Sequence, residues 1–299
     1  MYNDFMQVAT VYYILLFIAG TFFGSFLDLV SDRLISGEKL VFGRSKCDFC
    51  KKVLGIKNLM PIFSFVAQKG KCSFCKKRIS LYYPFSEVLA GLLFVIAGYL
   101  SNFMQISDLS SFLAFLYYAI LFCFFAVMFL TDLKFCLIPD AVVIPAIMFV
   151  FVSNIGIRVF DIYNLYHRLS ADKFGAYLIK SGYWNNQLVY SAKDFGYVIL
   201  SSVLISLFFL FLVWITKGKG MGLGDVKLGL LVGLVNGFPL NIIAIFLGFV
   251  IGAVYSLVLM SLGKKSLKDT VAFGPFLIIA SLVTLTYGSN LLNWYVNLF

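Results

Sequence analysis

Two groups of residues in this 299-residue sequence are candidates for catalysis or metal binding, because of their residue types and their positions in the chain. One is a set of acids inside or beside apolar runs, namely Asp28, Glu87, Asp132, Asp140 and Asp225. The other is a set of four cysteines in two close pairs. A carboxylate within an apolar spanning helix costs roughly 2.5–3.5 kcal/mol on insertion scales, so each such acid needs a reason. We therefore weigh a catalytic role for each acid against a structural one.

Asp132 and Asp225 are the best candidates for acid–base catalysis. Asp132 ends one apolar run, and Asp225 opens another directly after alternating glycines between 218 and 224, which leave room for an extended peptide. Two carboxylates brought together share a proton, which is the condition for activating water against a peptide carbonyl. Helix capping is the alternative, and for isolated aspartates it is the commoner role.

The other candidates have weaker claims. Asp140 follows Pro139, which favours a capping role at the start of a helix. Glu87 and Asp28 fit either role. The one histidine, His167, is expected to be an ordinary surface residue, so a histidine-based catalytic triad has no support.

Cys47, Cys50, Cys72 and Cys75 have nearly the spacing of a structural metal site. They form C-x2-C-x21-C-x2-C, and two such thiolate pairs complete a tetrahedral zinc site, although the intervening stretch slightly exceeds the usual range. The basic residues beside them would offset the net charge of about −2 of Zn²⁺ with four thiolates. Two disulfides or redox chemistry are the alternatives, and a reducing compartment would favour metal. We expect the other two cysteines, 123 and 136, to be packing residues.

The composition requires a lipid environment. Hydrophobic residues make up 61% of the chain and charged residues 13%, whereas a soluble domain is nearer ~45–50% apolar. The apolar runs are continuous and long enough to cross ~30 Å of hydrocarbon, which predicts an all-α integral membrane protein with about eight transmembrane helices. The predicted spans are Val8–Val30, Pro84–Leu100, Leu109–Leu130, Leu137–Ser153, Gly196–Thr216, Val226–Val235, Leu240–Leu262 and Phe273–Trp294.

The charge distribution predicts the orientation of these spans. The stretch from Asp32 to Arg78 contains twelve Lys and Arg but only three acidic residues. The cysteine-bearing loop is therefore expected to be cytoplasmic and the N-terminus outside. No strict internal repeat is visible. The predicted segments are a first helix in 1–30, a cysteine-rich metal-binding loop in 31–82, helices two to four with Asp132 in 83–153, an extracytoplasmic loop in 154–195, and helices five to eight with Asp225 in 196–299.

Motifs along nearly the whole chain resemble the type IV prepilin peptidases, the GxGD-type membrane aspartic proteases also called prepilin leader peptidase/N-methyltransferases. Besides the cysteine pairs, the motifs are Gly24-Ser-Phe-Leu27, Tyr83-Pro84-x-x-Glu87, Thr131-Asp132-Leu133 with Ile138-Pro139-Asp140, Gly222-x-Gly224-Asp225 and Phe273-Gly-Pro-Phe276. A lone Gly-x-Gly-Asp is weak, but six motifs in one order favour catalysis over capping for both aspartates.

The resemblance implies an aspartic endopeptidase of the bacterial cytoplasmic membrane that cuts the basic leaders of prepilins or pseudopilins. Family members with a cysteine-bearing loop commonly also methylate the new N-terminus with S-adenosylmethionine. This loop and Glu87 are the expected places for the donor, although no glycine-rich nucleotide fingerprint supports its binding. The expected partners are the substrates and the lipid bilayer, without nucleic acid.

Two alternative functions stay open. The first is a peptidase without methyltransferase activity, because methylation depends on the resemblance of the loop. The second is a proton-coupled transporter, whose acids should lie at mid-depth of the membrane. Asp132 and Asp225 instead lie at predicted helix ends, which favours the peptidase.

Overall fold

Ten α-helices dominate the computed structural model of the chain, which describes residues 2–37, 45–47, 49–102, 109–218, 220–263 and 271–298. They are α1 (Tyr2–Ser36), α2 (Phe63–Ala67), α3 (Tyr82–Leu100), α4 (Leu109–Phe135), α5 (Asp140–Ser170), α6 (Lys173–Lys180), α7 (Tyr183–Ile215), α8 (Leu223–Asn236), α9 (Leu240–Ser261) and α10 (Gly274–Val296). A short 3-10 helix, Ile56–Asn58, lies between the two cysteine pairs.

Seven of the described helices are long and apolar enough to cross a membrane, which confirms the prediction of an all-α multipass membrane protein. They are α1, α3, α4, α5, α7, α9 and α10. The other predicted span, Val226–Val235, lies in α8. This helix has 14 residues, a length of about 21 Å, so it is shorter than the ~30 Å hydrocarbon core.

The segment 154–195, predicted as a loop, is largely helical in the structure. Helix α5 continues to Ser170, α7 already begins at Tyr183, and α6 lies between them. An ion pair of 2.8 Å between Arg158 and Asp194 joins α5 to α7. Hydropathy detected only the apolar part of each long helix, because the backbone continues as a helix after the side chains become polar.

The chain forms two compact units, Met1–Val142 and Val143–Phe299. In the first unit, α1 packs against α3 and α4, and α3 packs against α4. In the second, α8 packs against α7, α9 and α10, and α9 packs against α10. Large side chains that are fully buried include Phe122, Phe125 and Met128 in the first unit and Phe209, Leu231 and Leu277 in the second.

Three Gly-x-x-x-Gly pairs allow close approach of helices within these units. A Cβ atom at any of the six glycines would lie 3.1 Å or less from an atom of the neighbouring helix. Pairs of small residues at this spacing let helix backbones pack closely where there is no hydrophobic drive between helices. The pairs are Gly20 and Gly24 of α1 against α3, Gly229 and Gly233 of α8 against α7, and Gly248 and Gly252 of α9 against α10.

Candidate functional site: a four-cysteine cluster and two buried or capping aspartates

The four predicted cysteines form one cluster in the first unit. The Sγ atoms of Cys47, Cys50, Cys72 and Cys75 all lie within 4.8 Å of one another, and all four thiols are free. Four thiolates at about 2.3 Å from one zinc ion lie roughly 3.8 Å apart, so this donor set fits a tetrahedral metal ion. The cluster could therefore bind a metal, and the disulfide alternative is not observed.

The two cysteine pairs are built by the same turn, used twice. The N–H of Cys47 donates to the carbonyl of Lys52, and the N–H of Cys72 donates in the same way to that of Lys77. A residue with positive φ follows each pair, Lys51 at 55° and Lys76 at 58°.

This structural repeat has a signal in the sequence, where no strict internal repeat was expected. Residues 46–52 read Lys-Cys-Asp-Phe-Cys-Lys-Lys, and residues 71–77 read Lys-Cys-Ser-Phe-Cys-Lys-Lys. The repeat was missed because it is short and lies outside the long apolar segments.

Each cysteine turn contributes one lysine that contacts an aromatic ring of the other turn. Lys52 of the first turn lies 5.3 Å from the ring centroid of Phe74, and Lys77 of the second turn lies 4.6 Å from that of Phe49. Each contact is a cation–π interaction of the kind that contributes ~0.5–1 kcal/mol at exposed sites. The basic residues thus help to join the two turns, in addition to offsetting thiolate charge.

The thiols of Cys72 and Cys75 differ in their pKa values. Backbone N–H groups of Cys75 and Phe74 lower the pKa of Cys72 to about 6. The backbone N–H of Lys77 lowers the pKa of Cys75, but desolvation and the neighbouring thiols outweigh it and raise that pKa to about 11. The thiolate is the form that binds metals. The remaining cysteines lie outside the cluster, as expected: Cys123 is half-buried, and Cys136 is exposed.

Glu87 lies near the start of α3 and contacts the segment that connects the cysteine pairs. Its side chain is buried, and its Oε2 atom accepts the N–H of Ile62 at 2.7 Å. On the same helix, the hydroxyl of Ser86 donates to the carboxylate of the buried Asp28 on α1. The sequence did not decide the roles of Glu87 and Asp28. In the structure, each of them makes a contact between two elements of the first unit.

Asp132 lies inside the last turns of α4 and is buried. The helix continues to Phe135, five residues beyond the predicted span Leu109–Leu130. The Asp132 side chain is only 5% exposed, so it does not merely solvate a helix end. Two residues further on, Lys134 forms an ion pair of 2.6 Å with Asp32 of α1, which ties this end of α4 to α1.

Asp225 lies in the first turn of α8. Its Oδ2 atom accepts the N–H of Gly222 at 3.0 Å, which is the capping contact weighed as the alternative to catalysis. A cap of this kind leaves the other carboxylate oxygen for further contacts. Asp140 is exposed and is the first residue of α5, where its position after Pro139 predicted a helix start.

An open depression lies beside Asp225, at the junction of α7 and α8. Its volume is about 860 Å³, and its lining includes Trp214, Met221 and Leu223. Trp214 is 75% exposed and Leu223 is 61% exposed. This surface could accept an apolar segment next to a carboxylate.

The structure brings some of the predicted residues together and leaves others in different units. All four cysteines and Glu87 belong to the first unit, and so does Asp132. Asp225 belongs to the second unit. The pairing of Asp132 with Asp225 therefore stays a prediction.

Two family models match this chain. "Bacterial Peptidase A24 N-terminal domain" matches residues 18–100, the region of the cysteine cluster and Glu87. "Type IV leader peptidase family" matches residues 119–257, the region that contains both candidate aspartates.

Three similar proteins carry the same name. The chain is 28% identical to "Prepilin leader peptidase/N-methyltransferase" of Bacillus subtilis over 95% of this chain and 98% of that protein. A protein of the same name from Stutzerimonas stutzeri is 28% identical over 91% and 81% of the two chains. One from Aeromonas salmonicida is 27% identical over 96% and 94%. No solved structure matches the chain.

Proposed function

The chain belongs to the type IV leader peptidase family, and from this premise we propose that it cleaves the leader peptide of prepilins or pseudopilins and then methylates the new N-terminus. The observation that carries the proposal is that Asp132 and Asp225 both fall within the matched peptidase region, at the ends of apolar helices. A proton-coupled transporter is disfavoured because neither acid lies at mid-helix.

In the proposed cleavage, Asp132 and Asp225 share one proton and act together. The ionised carboxylate takes a proton from water, and the water oxygen attacks the carbonyl carbon of the scissile peptide bond. The protonated carboxyl gives its proton to the leaving nitrogen as the C–N bond breaks. The products are a leader with a new carboxylate and a mature subunit with a free amino group.

The surroundings of Asp225 support peptide access. The glycine-rich approach to α8 carries few side chains, so the backbone of an extended peptide has room near the carboxylate. Next to it, the apolar depression beside Trp214 and Leu223 suits the hydrophobic helix that follows the leader in such substrates.

We propose Zn²⁺ as the ion of the cysteine cluster, held by Cys47, Cys50, Cys72 and Cys75. A four-thiolate site has no open position, so the ion would order the loop and take no part in cleavage. The loop and Glu87 are the regions that we associate with methylation. S-adenosylmethionine, when bound, would supply the methyl group and leave as its thioether, and the amino group freed by cleavage would accept the methyl group and lose a proton.

The proposed location is the bacterial cytoplasmic membrane, with the basic cysteine-rich loop on the cytoplasmic side. The support is the excess of Lys and Arg between Arg33 and Arg78, since loops with such an excess stay in the cytoplasm. The partners are then a membrane-inserted substrate and the surrounding lipid.

The test is to incubate the purified full-length protein in lipid with a prepilin and labelled S-adenosylmethionine. We expect a shortened product that carries the label at its N-terminus. A shortened but unlabelled product would support the peptidase without methyltransferase activity, and no shortening with several prepilins and pseudopilins would contradict the proposal.

A further inference from the structure

One carboxylate joins three elements of the first unit. Glu87 belongs to α3, its Oε2 atom accepts the N–H of Ile62 at 2.7 Å, and its carboxylate also makes a hydrogen bond with the side chain of Ser25 on α1. Ile62 lies in the segment between the cysteine pairs. The acid therefore attaches that segment to the helix pair α1 and α3.

The residue held by Glu87 has a strained backbone. Ile62 has φ 57° and ψ −52°, and the N–H of Phe63 donates to the carbonyl of Pro61 to close a three-residue turn. A γ-turn with positive φ at its centre is rare and strained, and a β-branched residue makes it more so. Such a conformation persists only when its surroundings hold it.

A chain of side-chain contacts leads from this turn to the cysteine cluster. Helix α2 starts directly after Ile62 and ends beside Gln68. The amides of Gln68 and Asn58 are in contact at 3.4 Å. The hydroxyl of Ser73, between Cys72 and Cys75, lies 2.9 Å from Gln68 and 3.0 Å from Asn58. These contacts connect the segment that contains the turn to the second cysteine pair.

We propose that Glu87 is a positioning residue, which docks the cysteine cluster onto α1 and α3 by holding Ile62 in its strained turn. What this role requires of residue 87 is a hydrogen-bond acceptor, and a negative charge is not needed. A residue that binds a cationic donor would instead need the charge. The proposal rests on the proposed function only for its effect on methylation, because the docking can be measured without any activity.

The first experiment uses limited trypsin digestion of the full-length protein in lipid, followed at Lys57 and Lys69, which flank the strained turn. Glu87→Ala should speed cleavage at both sites at least tenfold, because the turn loses the group that holds it. Glu87→Gln should be cut at about the rate of the unaltered protein, because the amide oxygen still accepts the N–H of Ile62. Asp32→Ala, which removes an acid of α1 that pairs with Lys134, is the control and should leave both rates unchanged.

A second variant tests the strain itself. Glycine adopts positive φ without steric cost, so Ile62→Gly combined with Glu87→Ala should be cut more slowly than Glu87→Ala alone. Equal rates for these two variants, or an unchanged rate for Glu87→Ala, would overturn the proposal.

Labelled-donor assays separate this proposal from the alternative role and from the proposed function. If Glu87 is a positioning residue, methylation should be reduced in Glu87→Ala and retained in Glu87→Gln. Loss of methylation in both variants with unchanged trypsin rates would overturn the proposal and assign Glu87 to the donor. If the unaltered protein does not methylate but the trypsin rates change as expected, the docking role stands and the proposed methylation fails.

Discussion

The Sγ atoms of Cys47 and Cys75, which lie 28 residues apart in the chain, are 3.9 Å apart in the structure. This distance matches the separation of about 3.8 Å between two thiolates on one tetrahedral zinc ion. A disulfide would instead bring two sulfurs to about 2.05 Å. The contact between Cys47 and Cys75 joins the first cysteine turn to the second, and the first prediction is based on it.

Cys47→Ser should remove most of the bound metal. A hydroxyl is a poor substitute for a thiolate in a four-thiolate site, so we expect at least a tenfold loss of zinc affinity. Metal analysis of the purified protein measures the effect. Cys123→Ser, outside the cluster, is the control and should keep about one ion per chain. Equal metal content in the two variants would show that the cluster does not bind the ion.

Asp132→Asn and Asp225→Asn should each abolish processing of a prepilin while the protein stays inserted and folded. An amide neither takes a proton from water nor gives one to the leaving nitrogen, and such transfer contributes roughly a hundred- to ten-thousandfold to rate. The measurement is the initial rate of leader removal. Asp140→Asn, at the exposed start of α5, should cleave at a near-normal rate. Near-normal cleavage by either main variant would refute the pairing of Asp132 with Asp225.

Gly233→Ala should destabilise the second unit. An added Cβ would lie 2.8 Å from the Cα atom of Ser202 on α7, and overpacking of this kind typically costs about 1–3 kcal/mol. The melting temperature in detergent measures the loss. Gly156→Ala is the control in the same unit, because nothing lies within 4 Å of its added Cβ. That variant should be as stable as the unaltered protein or slightly more stable. A melting temperature for Gly233→Ala as high as that of the control would contradict the close packing of α7 and α8.

Cys72→Ser should lower methylation more than cleavage. The cysteines order the loop, whereas the two aspartates are carried by helices of the membrane region. Parallel assays of leader removal and label transfer on the same substrate measure the two activities. An equal fall in both would show that the loop is needed for cleavage as well.

The membrane character and most of the helices could be predicted from composition and hydropathy, because lipid requires long apolar helices whatever their packing. Their ends could not be predicted. Helix α4 continues beyond the predicted span, which ends at Leu130, and α5 and α7 continue into polar sequence. Hydropathy reports where side chains prefer lipid, while a helix continues for as long as its backbone hydrogen bonds are made.

The close helix contacts at Gly233 and at the other spaced glycines were missed, although Gly-x-x-x-Gly is visible in the sequence. A spaced pair of small residues does not say which helix it faces. The burial of Asp132 could not be predicted either, since a residue near a helix end is buried or exposed according to what packs against it.

The sequence alone determined that the chain is a membrane protein, that four cysteines have the spacing of a metal site, and that Asp132 and Asp225 are the acids to test. These conclusions depend on residue types and on short spacings, which the linear chain already contains. The folded structure was needed to show that the four thiols meet and that Glu87 accepts the N–H of Ile62. Contacts between residues far apart in sequence depend on how the helices pack, and no local pattern encodes that packing.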